Sequence, residues 1–105
     1  ARLGGDLAVA RQLGEVLLRE LPGLIAAVDQ AVARGEAAAG LAAAAHALRG
    51  AVAYFLEPAA LARHEELERL AKAGETARAA ALWAQLKPGL DQLAQGIFRL
   101  EQPEG

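Results

Sequence analysis

With 105 residues the chain can build one hydrophobic core but not two, so its features are read on a single small domain. Apolar residues make up 54%, much of it alanine, while aromatics reach only 4% and β-branched residues are few; this excludes a sheet protein and fits a helical bundle. The net charge of −2 is scattered, which leaves no cationic stripe for nucleic acid, and the absence of cysteine excludes disulfides, thiolate nucleophiles and cysteine-based zinc sites together.

In chain order, Asp6 follows the pair Gly4-Gly5 as a candidate N-cap. Leu3, Leu7, Ala10, Gly14, Leu17 and Leu21 then recur at alternating spacings of four and three, predicting a first helix that ends near Glu20. Pro22 sits at a first-turn position and opens a second helix, with Leu24, Ile25, Val28 and Val32 as its stripe and Gly35 as its stop. After the link "GEAAAG", a third helix is expected from Ala38 to Leu56, with Leu41, Ala45, Leu48, Val52 and Phe55 facing the core. Pro58 starts a fourth that stops at Gly74.

The fifth runs from Thr76 to about Glu101. Trp83, Leu86, Leu90, Leu93, Ile97 and Leu100 keep their spacing across Pro88, which favours one kinked helix over two. The tail "QPEG" is expected to fray. The expected fold is all-α: an antiparallel four-helix bundle with an additional N-terminal capping helix. No apolar run approaches the roughly 18 residues of a membrane span, and no leader segment is recognisable, so a cytoplasmic domain without membrane insertion is expected. The start at Ala1 rather than Met points to a domain processed or excised from a longer chain.

The segment "LAAAAHALRGAVAYFL", Leu41 to Leu56, carries the chemistry. At about 100° per residue, Ala42, Ala43, Arg49, Gly50 and Ala53 fall within roughly 60° of His46, and the core stripe is centred about 140° away. His46 therefore faces outward among small side chains. Gly50 costs about 1 kcal/mol relative to alanine in a helix interior and lies off the core stripe, so something outside the bundle needs the room. Arg49 can stabilise a dianionic group arriving on the imidazole.

The run "AHALRG" resembles the His-x-Leu-Lys-Gly motif of histidine-containing phosphotransfer domains. "LGGDLAVARQLGEVLLRELPG" is similar to that family's opening helix and Leu-Pro link, "ARGE" to the turn before the histidine helix, and "LERLAKAGE" to the segment after it. Tyr54 and Pro58 are similar to positions in the C-terminal phosphotransfer domains of bacterial hybrid sensor histidine kinases. The resemblance implies that His46 accepts a phosphoryl group on Nε2 from a receiver-domain aspartate and passes it to the aspartate of a response-regulator receiver. Arg49 stands where the family usually has lysine, and Gly50, Ala42, Ala43 and Ala53 would clear the surface for a docking receiver.

Glu68, 22 residues after His46, resembles the carboxylate that holds the other ring nitrogen in chemotaxis-kinase phosphotransfer domains; the competing reading is a solvated glutamate on a charged helix. The domain would be a phosphocarrier without turnover of its own. It would bind no cofactor, and magnesium would sit on the partner receiver. The family commonly has glycines where this sequence has Ala53 and Leu56, and Leu56 points to a longer or differently turned exit from the helix.

His64 falls on the inward half of its helix as a structural histidine. With Glu65 and Glu68 it lacks a second histidine at ligand spacing, so no metal site is assigned. Trp83 and Tyr54 are expected in the core and at its edge. Two rival readings stay open: a degenerate phosphotransfer fold that binds partners without carrying phosphate, and a structural or dimerising bundle with an incidental histidine.

Overall fold

The computed structural model describes residues 7–35 and 38–102, with the side chains of residues 38 and 39 outside that description. Asp6, Leu3 and residues 103–105 of the tail, which carried sequence-based expectations, lie outside the described residues. Four α-helices follow one another: α1 (Leu7–Ala33), α2 (Ala38–Val52), α3 (Pro58–Lys72) and α4 (Thr76–Glu101), with a short 3-10 turn at Ala53–Phe55. The main contacts are α1 with α2, α2 with α3, α3 with α4 and α4 with α1, which closes a four-helix ring. The all-α bundle expected from the sequence is the fold observed, and the described residues contain no strand.

The separate N-terminal capping helix is not observed. Its residues form the first half of α1, which continues through Pro22 without a break. Proline removes one backbone donor and crowds the carbonyl four residues earlier. Pro22 is exposed, so that carbonyl can turn to water. Pro88 lies in the same situation inside α4 and is also exposed. In both helices the apolar stripe crosses the proline unbroken, with Leu17, Leu21 and Val28 buried on one and Leu86, Leu90 and Ile97 on the other.

Two glycines end helices where a side chain would be strained. Gly35 follows α1 with φ 63° and Gly74 follows α3 with φ 76°. At Gly74 the Glu75 amide donates to the Leu70 carbonyl and the Gly74 amide to that of Ala71, a Schellman closure of α3. At the other end, Pro58 occupies the first turn, where its missing N–H costs nothing.

The core stripe of α2 is as expected, with Leu41, Ala45, Leu48 and Val52 all buried. The helix is shorter than expected: it stops at Val52 and tightens into the 3-10 turn. Phe55 and Leu56 are half-buried and packed on the core. Leu56 has extended backbone with φ −97° and ψ 146°. A negative φ needs no glycine, and the leucine adds apolar contact that glycine could not.

Because α2 and α3 have 15 residues each against 27 and 26 for α1 and α4, the outer helices run on beyond the four-helix section. The overall extents, 47 × 22 × 19 Å, reflect that overhang. Gly14 lies there, buried against α4: a Cβ at this position would stand 2.8 Å from Ile97 Cγ2 and 3.0 Å from Glu101 Oε2. The large exposed apolar side chains Leu7, Val9, Leu13, Val16 and Phe98 also lie on this end. Leu7 therefore departs from the buried stripe expected of it.

A polar clamp joins α1 to α4 lower down. The buried Trp83 donates from Nε1 to Asp29 Oδ1 at 2.8 Å, and Lys87 Nζ donates to Asp29 Oδ2 at 3.0 Å. The Trp83 bond is the main reason the Asp29 carboxyl sits below its ordinary range, with Lys87 adding to it against desolvation. Replacing Asp29 by alanine strands a buried indole N–H and is expected to cost about 1–2 kcal/mol, read as a lower urea midpoint with unchanged slope. No helix among the described residues is long and apolar enough to cross a membrane.

Candidate functional site

α2 and α3 run antiparallel and bring His46, Arg49, Glu68 and Lys72 together on one side of the bundle. Alanine-rich α2 keeps its outer surface low: Ala43 and Gly50 are exposed, and Ala42 and Ala53 are half-buried. Ala53 belongs to the 3-10 turn rather than to α2, so it sits at the rim of the histidine face. A Cβ added to Gly50 would meet nothing within 4 Å. The fold itself does not require glycine there. The Gly50→Ala variant is accordingly expected to gain about 0.5–1 kcal/mol, whereas Gly14→Ala loses stability, and urea titrations of the two check the opposite signs.

The His46 side chain is 63% exposed, as its helical position predicted. Its Nδ1 lies 2.9 Å from Oε2 of Glu68, on α3. Glu68 is only 8% exposed along its side chain, so the reading of a solvated glutamate does not hold. Arg49 Nε donates to Oε1 of the same carboxylate at 2.8 Å, and Lys72 Nζ lies 3.0 Å from Oε2. The Arg49 hydrogen bond does most to pull the Glu68 carboxyl down to about 2, helped by Lys72 and His46 against a burial that alone would raise it.

That ionisation fixes the imidazole. A carboxylate can only accept, so Nδ1 must carry the proton it shares with Glu68, and in the neutral ring the lone pair then lies on Nε2. Nε2 has no hydrogen-bond partner among the described residues. Arg49 Nη2 also approaches Nδ1, at 3.2 Å. Both groups are then donors, so this is a contact and not a bond.

No protein-family profile, curated protein or solved structure matches this chain. What the site can do follows from its own geometry: an exposed nucleophilic nitrogen, a buried carboxylate behind it, and cations beside that carboxylate. Among the described residues no group of three or more histidine, aspartate or glutamate side chains could hold a metal ion.

The sequence reading brought His46, Arg49 and Glu68 into one site, and they do meet. It placed Arg49 as a charge beside the ring able to stabilise a dianionic group there; in the structure the guanidinium also pairs with Glu68 and is 27% exposed. It also missed Lys72, although the signal was available: Glu68 and Lys72 stand four apart on one helix, in the favourable order for an ion pair. An open cleft of about 340 Å³ beside the histidine is lined by Arg49, Glu65, Glu68, Arg69 and Lys72.

His64, one turn before Glu68, is buried, and its Nδ1 has no partner. Burial first, then the nearby Arg63 charge, push the His64 imidazole below its ordinary range. It is a core histidine, as expected. Trp83 is buried and Tyr54 is half-buried against Phe55, ring edge to ring face.

Proposed function

We propose that this chain is a phosphorelay carrier, with His46 the residue phosphorylated on Nε2. The observation that carries this reading is the Nδ1–Glu68 hydrogen bond, which leaves the nucleophilic nitrogen on the exposed side of the bundle. In the forward step the Nε2 lone pair attacks the phosphorus of an aspartyl phosphate on a receiver domain. The P–O bond to that aspartate breaks, and its electron pair leaves with the carboxylate. No proton has to move, because the positive charge gained by the ring is held against Glu68. The reverse step delivers the phosphoryl group to the aspartate of a second receiver.

Such a transfer, through a loose transition state, asks mainly for positioning and charge neutralisation. Glu68 positions the ring, and Arg49 holds Glu68. Magnesium and the acidic residues that bind it belong to the receiver, so the chain works as a carrier without turnover of its own. Gly50 and Ala43 leave the approach to His46 open, while Ala42 and Ala53 form a low floor and rim. The resemblance of "AHALRG" to the phosphotransfer motif supports the same role.

The test is to expose the chain to phosphoramidate, locate any acid-labile, alkali-stable label by mass spectrometry, and then add a magnesium-loaded receiver. Label on His46 that chases to the receiver is the expected result. A chain that acquires no label, or acquires it elsewhere, would overturn the proposal.

One observation favours a second reading, a self-associating helical bundle. The exposed large apolar side chains lie on the overhang of α1 and α4, outside the residues that surround His46. Sedimentation over a range of concentrations separates the two, since a carrier that works through the His46 face has no need of an obligate oligomer.

A further inference from the structure

The phosphoryl group that His46 would carry is a dianion placed close to a buried carboxylate, and some cation has to follow it. Three cations line the cleft beside the ring, and they are not equally free. Arg49 donates through Nε to Glu68 Oε1 and is largely covered. Arg69 spends both Nε and Nη2 on Glu66. Lys72 differs from both. Its side chain is 66% exposed, and it meets Glu68 on Oε2, the oxygen that already accepts the His46 proton.

Resting on the carrier reading, we infer that Lys72 is the movable countercharge of the site. In the unloaded chain its ammonium sits on Glu68 and helps keep that carboxylate ionised. When the phosphoryl group bonds to Nε2, Lys72 leaves Oε2 and pairs with the phosphoryl oxygens, while Arg49 stays on Oε1 and keeps Glu68 against the ring. The displacement is short. Nζ and Nδ1 share one carboxylate oxygen at 3.0 and 2.9 Å, and a four-carbon stem with a rotating ammonium can cover the width of an imidazole. Glu68 loses a partner at the moment the ring becomes cationic, so the hydrogen bond to Nδ1–H strengthens as Lys72 departs.

Lys72 is thus a positioning and charge-compensating residue whose effect is distinct from that of Arg49. Loading from phosphoramidate tests it, because this small anion needs no docking surface. For the parent chain the initial loading rate should fall as potassium chloride is raised. The Lys72→Gln variant is expected to load roughly ten-fold more slowly with a nearly flat salt dependence, and Lys72→Arg to recover most of the rate. Because Lys72 is exposed, both variants should fold, and cooperative urea unfolding curves would verify it. If Lys72→Gln loads within two-fold of the parent and keeps its salt dependence, Lys72 is not the countercharge, whatever His46 does. If the parent chain itself takes no label on His46, the carrier reading falls and this inference with it.

Discussion

Replacing His46 by glutamine should abolish acid-labile labelling and transfer to any receiver, while the unfolding free energy stays within about 1 kcal/mol of the parent. The two halves of this expectation come from one fact: the side chain is 63% exposed, so little packing depends on it. Glutamine can still donate to Glu68, yet it offers no lone pair basic enough to attack phosphorus. A loss of labelling accompanied by unfolding would say nothing about chemistry; a loss in a chain with the parent's urea curve isolates the imidazole. Full labelling in this variant would mean that another residue is the acceptor, and the buried His64 is a poor candidate for it.

The second large effect belongs to Glu68. In the Glu68→Gln variant Arg49 and Lys72 lose the charge they share, and the imidazole faces an amide that can donate as well as accept, so its tautomer is no longer selected. Loading is expected to drop about ten- to a hundred-fold, the range found when a carboxylate orienting a metal-ligating imidazole is removed. The stability effect has a definite pH signature. The Glu68 carboxyl is held at about 2 against an ordinary 4.5, so its folded-state value is depressed. Its contribution, on the order of 2–3 kcal/mol, is present in full above pH 4.5 and is lost as the pH falls from there to about 2.

At pH 7 the variant should therefore be less stable than the parent by that order, and the gap should close with acid. Urea midpoints measured at pH 7, 4 and 2.5 would show the two curves converging. A constant gap across that range would mean that the carboxylate's ionisation contributes nothing.

Much of the fold was legible because apolar spacing is a local property. Leu41, Ala45, Leu48 and Val52 read as a core stripe from the sequence, and all four are buried. The spacing that carries α4 across Pro88 exists across Pro22 too, where Leu17, Leu21 and Val28 continue one face. A break was expected there because proline also fits a first turn. What decides between the two roles is whether the freed carbonyl faces water, and that depends on which helices pack alongside. Leu56 signalled an altered exit of α2, but the stop at Val52 was hidden, since the packing of Leu56 on the core depends on the neighbouring helices.

The site divides in the same way. His46 on an outward face of small residues follows from helical geometry alone. Its pairing with Glu68, 22 residues on, came from likeness to a motif, because nothing local announces a contact between two helices. The anchoring of Arg49 could not be read at all. Position beside His46 leaves a guanidinium free to reach solvent, the ring or the facing helix, and only the burial of Glu68 selects the third.

The proposed carrier role of His46 rests on a proton on Nδ1 and a lone pair on Nε2. A long-range 1H–15N correlation spectrum of the histidine rings, recorded at pH 8 on the parent chain and on Glu68→Gln, measures that directly. The expected spectrum has His46 protonated at Nδ1 with an unprotonated Nε2 in the parent, and a mixture of tautomers in the variant. A parent spectrum with the proton on Nε2 would contradict the arrangement, because the nitrogen exposed to a partner would then have no lone pair to give.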